Sequence, residues 1–166
     1  RSKSTRRRLA PRALARAAAL SPWRRCYERG VSTDAAVAPH LVSRTDLLVR
    51  FCETDLMGIV HHANYLTYFE AGRVDWLHKR GVSYERWVRE GVHLPVVETR
   101  LRYKKPARFD DRLTIESACA EVKRVTVRFD YRVLRGDELM CLGETLLACV
   151  GDDLAPKRLP PGIEEV

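Results

Sequence analysis

The chain has 166 residues, with 30 Lys and Arg against 22 Asp and Glu, 45% hydrophobic and 31% charged, a composition that fits one soluble globular domain with an appendage. No window approaches the roughly 18 uncharged apolar residues of a membrane span, and Arg16 interrupts the most apolar N-terminal stretch, Leu14 to Leu20, so no integral membrane association is expected. The net charge of +8 would suit a nucleic-acid binder, but residues 1–40 hold ten basic against two acidic side chains and residues 41–166 hold twenty of each. The body is neutral and lacks the single-sign stripe that phosphate-backbone binding requires, so no nucleic acid is expected as its partner.

Up to Tyr27 there is no acidic residue, and Arg, Ala and Ser dominate, a composition that buries little and repels itself. Residues 1–40 are therefore expected to be a basic, flexible N-terminal extension and residues 41–166 the folded domain. An Arg-rich, acid-poor leader also fits an organelle transit peptide, so the expected location is cytoplasmic, with an organelle matrix as the alternative. The five cysteines, Cys26, Cys52, Cys119, Cys141 and Cys149, form no C-x-x-C pair, which suggests neither a disulfide framework nor a thiolate zinc site and fits a reducing compartment.

From Leu41 the pattern turns to period 2, with Thr45, Leu47, Val49 and Phe51 on one face and Asp46, Leu48, Arg50 and Cys52 on the other, a first strand. Glu53 to His62 reads as a loop. Asn64 is placed to cap a helix that runs to Arg80 and stops at Gly81, with Leu66, Phe69, Arg73, Trp76 and Leu77 on one mostly apolar face. A short second helix is capped by Ser83 and ended by Gly91. Four strands follow: Leu94 to Lys104, Leu113 to Val122, the alternating run Val125 to Val133, and, after the turn Arg135-Gly136-Asp137-Glu138, Leu139 to Val150. The last is apolar on both faces, as an inner strand should be. This order predicts an α+β domain, one long helix on one face of a largely antiparallel sheet. The other face stays open unless a partner covers it, so a homo-oligomer is expected.

Between first strand and helix the chain reads Phe51-Cys52-Glu53-Thr54-Asp55-Leu56-Met57-Gly58-Ile59-Val60-His61-His62-Ala63-Asn64-Tyr65. Carboxylates, imidazoles and a glycine meet at a helix N-terminus, where free N–H groups and the helix dipole favour developing negative charge. A carboxylate beside such an oxyanion site suits activation of water or direct attack on a carbonyl.

Glu53-Thr54-Asp55, Gly58, Val60, Asn64-Tyr65, Tyr68-Phe69-Glu70 and Arg73, with the later run Pro106-Ala107-Arg108-Phe109-Asp110-Asp111, resemble the 4-hydroxybenzoyl-CoA thioesterase family, particularly its branch acting on small acyl-CoAs. The resemblance spans about residues 44 to 161. It implies a hotdog fold, a five-stranded antiparallel sheet wrapped around one long helix, and active sites at a dimer interface. It implies hydrolysis of an acyl-CoA thioester without metal or cofactor, coenzyme A being part of the substrate. In this resemblance Asp55 matches the catalytic carboxylate, and the amide of His62 matches the group that polarises the thioester carbonyl. Gly58, Ile59, Val60, Tyr65 and Arg108 are the residues expected to meet the substrate, and a homodimer or homotetramer the assembly.

Other readings of the same residues are weaker. Cys52 as a nucleophile is disfavoured because alternation puts it on the strand, where a free Cys packs as a small hydrophobe. Adjacent His61 and His62 rarely aim at one ion. Lys104, Lys105 and Arg108 suit either CoA phosphates or a solvated strand end, and Glu70 reads as an i+3 partner of Arg73. No G-x-S-x-G elbow or G-x-G-x-x-G loop is present. The functional alternatives are a noncatalytic acyl-binding hotdog module or scaffold and a hotdog dehydratase.

Overall fold

The computed structural model describes residues 42–161 together with residue 163; the N-terminal extension and Cys26 lie outside the described residues. Strand β1 spans Val42–Leu48, a 3-10 turn Phe51–Glu53, helix α1 Asn64–His78, and helix α2 Tyr84–Arg89. Strands β2 to β5 then span Val96–Tyr103, Arg112–Val122, Thr126–Arg135 and Glu138–Ala148. All pairs are antiparallel, in the order β1-β3-β4-β5-β2. This is the hotdog fold, with α1 lying across one face of the five-stranded sheet.

The inward face reads Leu113, Ile115, Val127, Phe129, Tyr131, Val133, Cys141 and Leu147, all buried, as a period-2 pattern beneath a helix requires. The buried face of α1 is Tyr65, Tyr68, Phe69, Gly72, Trp76 and Leu77. Leu66, expected on that face, is exposed, because the stripe is carried by the tyrosines one turn position away. Phe69 stacks on Tyr131 at 4.4 Å and Trp76 meets Phe129 edge-on at 5.2 Å. Arg73 donates to the Tyr131 hydroxyl at 3.2 Å, so the expected Glu70–Arg73 pairing gives way to a tie between helix and sheet, and Glu70 is exposed.

Two glycines let helix and sheet approach. A Cβ on Gly72 would run into Ser117 and Ile115 of β3, and one on Gly143 of β5 would enter the Phe69 ring. Gly143→Ala is therefore expected to cost about 1–3 kcal/mol, the usual penalty of overpacking, read as a lower urea midpoint with an unchanged slope.

The element ends match expectation within a residue or two, with two informative exceptions. Alternation in β1 fails after Val49: Phe51 and Cys52 sit on the 3-10 turn, both exposed. Cys52 is thus not a buried strand residue. Asn64 is the first helical residue rather than the cap; the cap is Ala63, which offers no side-chain acceptor. Ser83 does cap α2, accepting from the Arg86 amide at 3.2 Å. The four described cysteines are free.

The outward face carries ion pairs rather than an apolar sheet surface. Glu116 is held by Arg44 at 2.8 Å and Arg132 at 2.9 Å, and Arg100 meets Glu144 at 3.3 Å. What lies open instead is the edge strand β2, where Val96 is 44%, Val97 57% and Tyr103 49% exposed, an unpaired ladder of the kind that invites another strand.

Candidate active site

The two sequence stretches that carried the resemblance are neighbours in space. Val60 donates its amide to the Ala107 carbonyl at 2.8 Å, Val49 and the 110–111 turn exchange backbone bonds at 3.0 Å, and Phe51 meets Phe109 edge-on at 5.7 Å. Between them Asp55 stands on a tight hairpin. Its amide donates to the Ile59 carbonyl at 3.0 Å and its carbonyl accepts from Gly58 at 2.9 Å; Gly58 takes φ +67°, a conformation that suits glycine. Residues Thr54 and Val60 close the hairpin as an antiparallel bridge.

One Asp55 carboxylate oxygen, Oδ1, accepts from the Met57 amide at 2.8 Å, which fixes the side-chain direction. The other has no partner among the described residues. Just beyond, the amides at the mouth of α1 are accounted for one by one. His61 N–H donates to the Glu53 carbonyl at 2.8 Å, Ala63 N–H to Nδ1 of His61 at 3.3 Å, and Asn64 N–H to the His61 carbonyl at 3.0 Å. The His62 N–H alone in this run has no acceptor among the described residues. It is a donor left over at a helix N-terminus, where a negative oxygen is favoured.

Asp55 and His62 open onto one pocket of about 410 Å³, lined also by Met57, Ile59, Val60, Tyr65, Tyr103, Lys104, Lys105 and Pro106. The structure thus brings together five of the residues expected to form the site, Asp55, His62, Ile59, Val60 and Tyr65. Gly58 and Arg108 do not line it. Arg108 braces the hairpin, its guanidinium donating to the Gly58 carbonyl at 3.3 Å and its amide to Asp111 at 2.8 Å. Lys104 and Lys105 stand at the pocket, and Lys105 is paired with Glu138 at 2.5 Å.

Three residues emerge to which sequence reasoning gave no role. Tyr103 donates its hydroxyl to the His62 carbonyl at 3.1 Å and meets the Tyr65 ring at 5.2 Å. Glu53 is buried, yet its carboxylate accepts from Arg50 through N, Nε and Nη2 at 2.8, 3.0 and 2.8 Å and from the Tyr68 hydroxyl at 3.0 Å. Burial pushes the Glu53 carboxyl up, but the Arg50 and Tyr68 bonds outweigh it and hold the group below the usual carboxylate range; the Tyr68 phenol is driven up by the same burial and by Glu53. The signal was an arginine three residues before the glutamate and a tyrosine three after Tyr65. Cys141 lies buried beneath this wall, its thiol pushed up to about 12 by burial, which suits packing rather than nucleophilic chemistry. Among the described residues no group of three or more His, Cys, Asp or Glu is placed to hold a metal ion.

The family model of the thioesterase-like superfamily matches residues 49–166. The chain belongs to that superfamily. It is 29% identical over 122 residues to the acyl-CoA thioester hydrolase YbgC of Escherichia coli O157:H7, a match covering 72% of this chain and 91% of that protein. The solved structure of a DHNA-CoA thioesterase from Staphylococcus aureus is 32% identical, with a TM-score of 0.70 over 71% of this chain and 80% of its own. A 4-hydroxybenzoyl CoA thioesterase mutant, 23% identical, shares the fold with a TM-score of 0.69 over 75% of this chain and 97% of its own. This superfamily member is accordingly a thioester hydrolase, and the hotdog resemblance read from its two motifs holds. Among the described residues no helix is long and apolar enough to cross a membrane.

Proposed function

We propose that this thioester hydrolase cleaves small acyl-CoA thioesters, with Asp55 as catalytic carboxylate and the His62 amide as oxyanion donor. The observation that carries the reading is their convergence: Asp55 and His62, which keep a carboxylate oxygen and an amide without a partner among the described residues, line one largely apolar pocket. The acyl group lies against Ile59, Val60, Tyr65 and Tyr103, and the thioester oxygen points at the His62 N–H. Water, activated by Asp55, adds to the carbonyl carbon, or the carboxylate attacks first and water releases the acyl group. Either way the carbonyl oxygen turns negative beside the amide, the C–S bond breaks, and the sulfur leaves with a proton as free CoA. Lys104 and Lys105 at the pocket wall supply positive charge suited to the CoA phosphates.

The names of the relatives support a CoA-linked substrate, and the pocket of about 410 Å³ supports a small acyl group. A thiol-release panel over acyl-CoAs of differing length and aromaticity tests both; no CoA released from any of them would return the chain to the reading of an acyl-binding module.

The unpaired β2 edge and the exposed Phe51, Leu56, Met57 and Phe109 beside the site support a homodimer with each pocket near the interface. Light scattering at micromolar concentration is expected to give twice the chain mass. A monomer with full turnover would contradict it. A reducing aqueous compartment, cytoplasmic in the simplest case, fits the free cysteines.

A further inference from the structure

We propose that Glu53 is the positioning residue of this site, setting the Asp55 carboxylate and the His62 amide relative to one another. The inference rests on the roles given above to those two groups. A buried carboxylate is costly unless its oxygens are all met, and here Arg50 supplies three donors and Tyr68 of α1 the fourth. The carboxylate thereby fastens the turn before Asp55 to the first two turns of the long helix. The backbone of the same residue does the second half of the work. Its carbonyl accepts from the His61 amide at 2.8 Å and from the Asn64 side chain at 2.7 Å, on either side of His62. Asp55 follows two residues later in the hairpin. One residue therefore holds both the hairpin that carries the carboxylate and the peptide that carries the oxyanion donor. None of its contacts reaches the pocket, so Glu53 acts through geometry and not by touching substrate. Misplacement of reacting groups by about 1 Å can cost about 10²-fold in rate, which makes such a fastening visible in turnover.

The test uses the full chain, steady-state CoA release and amide hydrogen exchange. Glu53→Gln keeps the shape but turns an amide NH2 toward donors that need an acceptor. At a temperature where both proteins are fully folded, kcat is expected to fall about 10- to 100-fold while KM stays within about threefold. Exchange at the His61 and Val60 amides should quicken, with the amides of β4 unchanged. Tyr68→Phe removes a single donor and should reproduce the pattern at reduced size. Should the Gln variant not fold, the Phe variant decides. The inference fails if the variant that folds keeps more than about half of wild-type kcat, a change too small for a displaced reacting group, or if exchange rises everywhere alike and the loss only tracks the unfolded fraction. A wild-type chain that released no CoA would sink the hydrolase reading instead, leaving the exchange pattern at His61 and Val60 to decide this one.

Discussion

Asp55→Asn is expected to lower kcat by about 10²- to 10⁴-fold, the usual worth of a positioned base, with melting temperature and CD spectrum retained. The structure gives the reason for the selectivity. Oδ1 accepts from the Met57 amide at 2.8 Å, and the carbonyl oxygen of Asn takes over that bond without moving the hairpin. The other position then presents an NH2 to the pocket, which neither removes a proton from water nor attacks a carbonyl. A covalent role would enlarge the loss, and trapping an acylated enzyme by rapid quench and mass spectrometry separates the two routes. Cys52→Ala is the matched control on the same loop. Cys52 is exposed on the 3-10 turn, so its removal should change stability by no more than about 0.5 kcal/mol and leave turnover at the wild-type level. An Asn variant keeping more than about a tenth of the activity, outside the range for losing a base, would end the carboxylate mechanism; a dead Ala variant would move the chemistry to the thiol.

The fold was legible because its signals are periodic and local. Val127, Phe129, Tyr131 and Val133 alternate with polar residues along β4, and all four are buried, while Gly81 and Gly91 end their helices at φ +73° and +66°. The strand order β1-β3-β4-β5-β2 was not legible from alternation, because period 2 says which face a residue takes and not which strand lies beside it. The family resemblance implied a five-stranded antiparallel sheet around one helix, and the order of its strands is read from the structure. Within the site, Asp55 and the helix mouth were readable because a carboxylate before a helix start is a local pattern. Arg108, expected among the substrate contacts, braces the Gly58 carbonyl in the structure; a cation near a phosphate-bearing ligand and a cation bracing a carbonyl look alike in sequence, and only the meeting of the hairpin with the Pro106–Asp111 turn shows the brace. The Glu53–Arg50 bonds are local, but Tyr68 meets Glu53 across 15 residues and Tyr103 meets His62 across 41, and no spacing rule reaches that far. The open-face argument for a dimer also changed its footing. Glu116 paired with two arginines puts charge rather than an apolar surface on that face, and the proposal of a homodimer rests on the unpaired β2 edge instead.

His62→Pro is expected to cost about 10²- to 10³-fold in kcat, the worth of one oxyanion donor, whereas His62→Ala should lose less than about tenfold, having kept that donor. The contrast follows from which atom of the residue does the work. Proline has no N–H, so it deletes the one amide in the run from His61 to Asn64 that lacks an acceptor among the described residues. The neighbouring bonds stay available: His61 N–H to Glu53, Ala63 N–H to Nδ1 of His61, and the Tyr103 hydroxyl to the carbonyl of residue 62. Helix α1 therefore keeps its anchoring, and melting temperatures of the two variants are the check on that point. Alanine keeps the N–H and removes the imidazole of a residue that lines the pocket, so any loss of contact should appear in KM. If alanine proved as damaging to kcat as proline, the imidazole and not the amide would be the group that meets the developing charge, and the oxyanion assignment would pass from the backbone of His62 to its side chain.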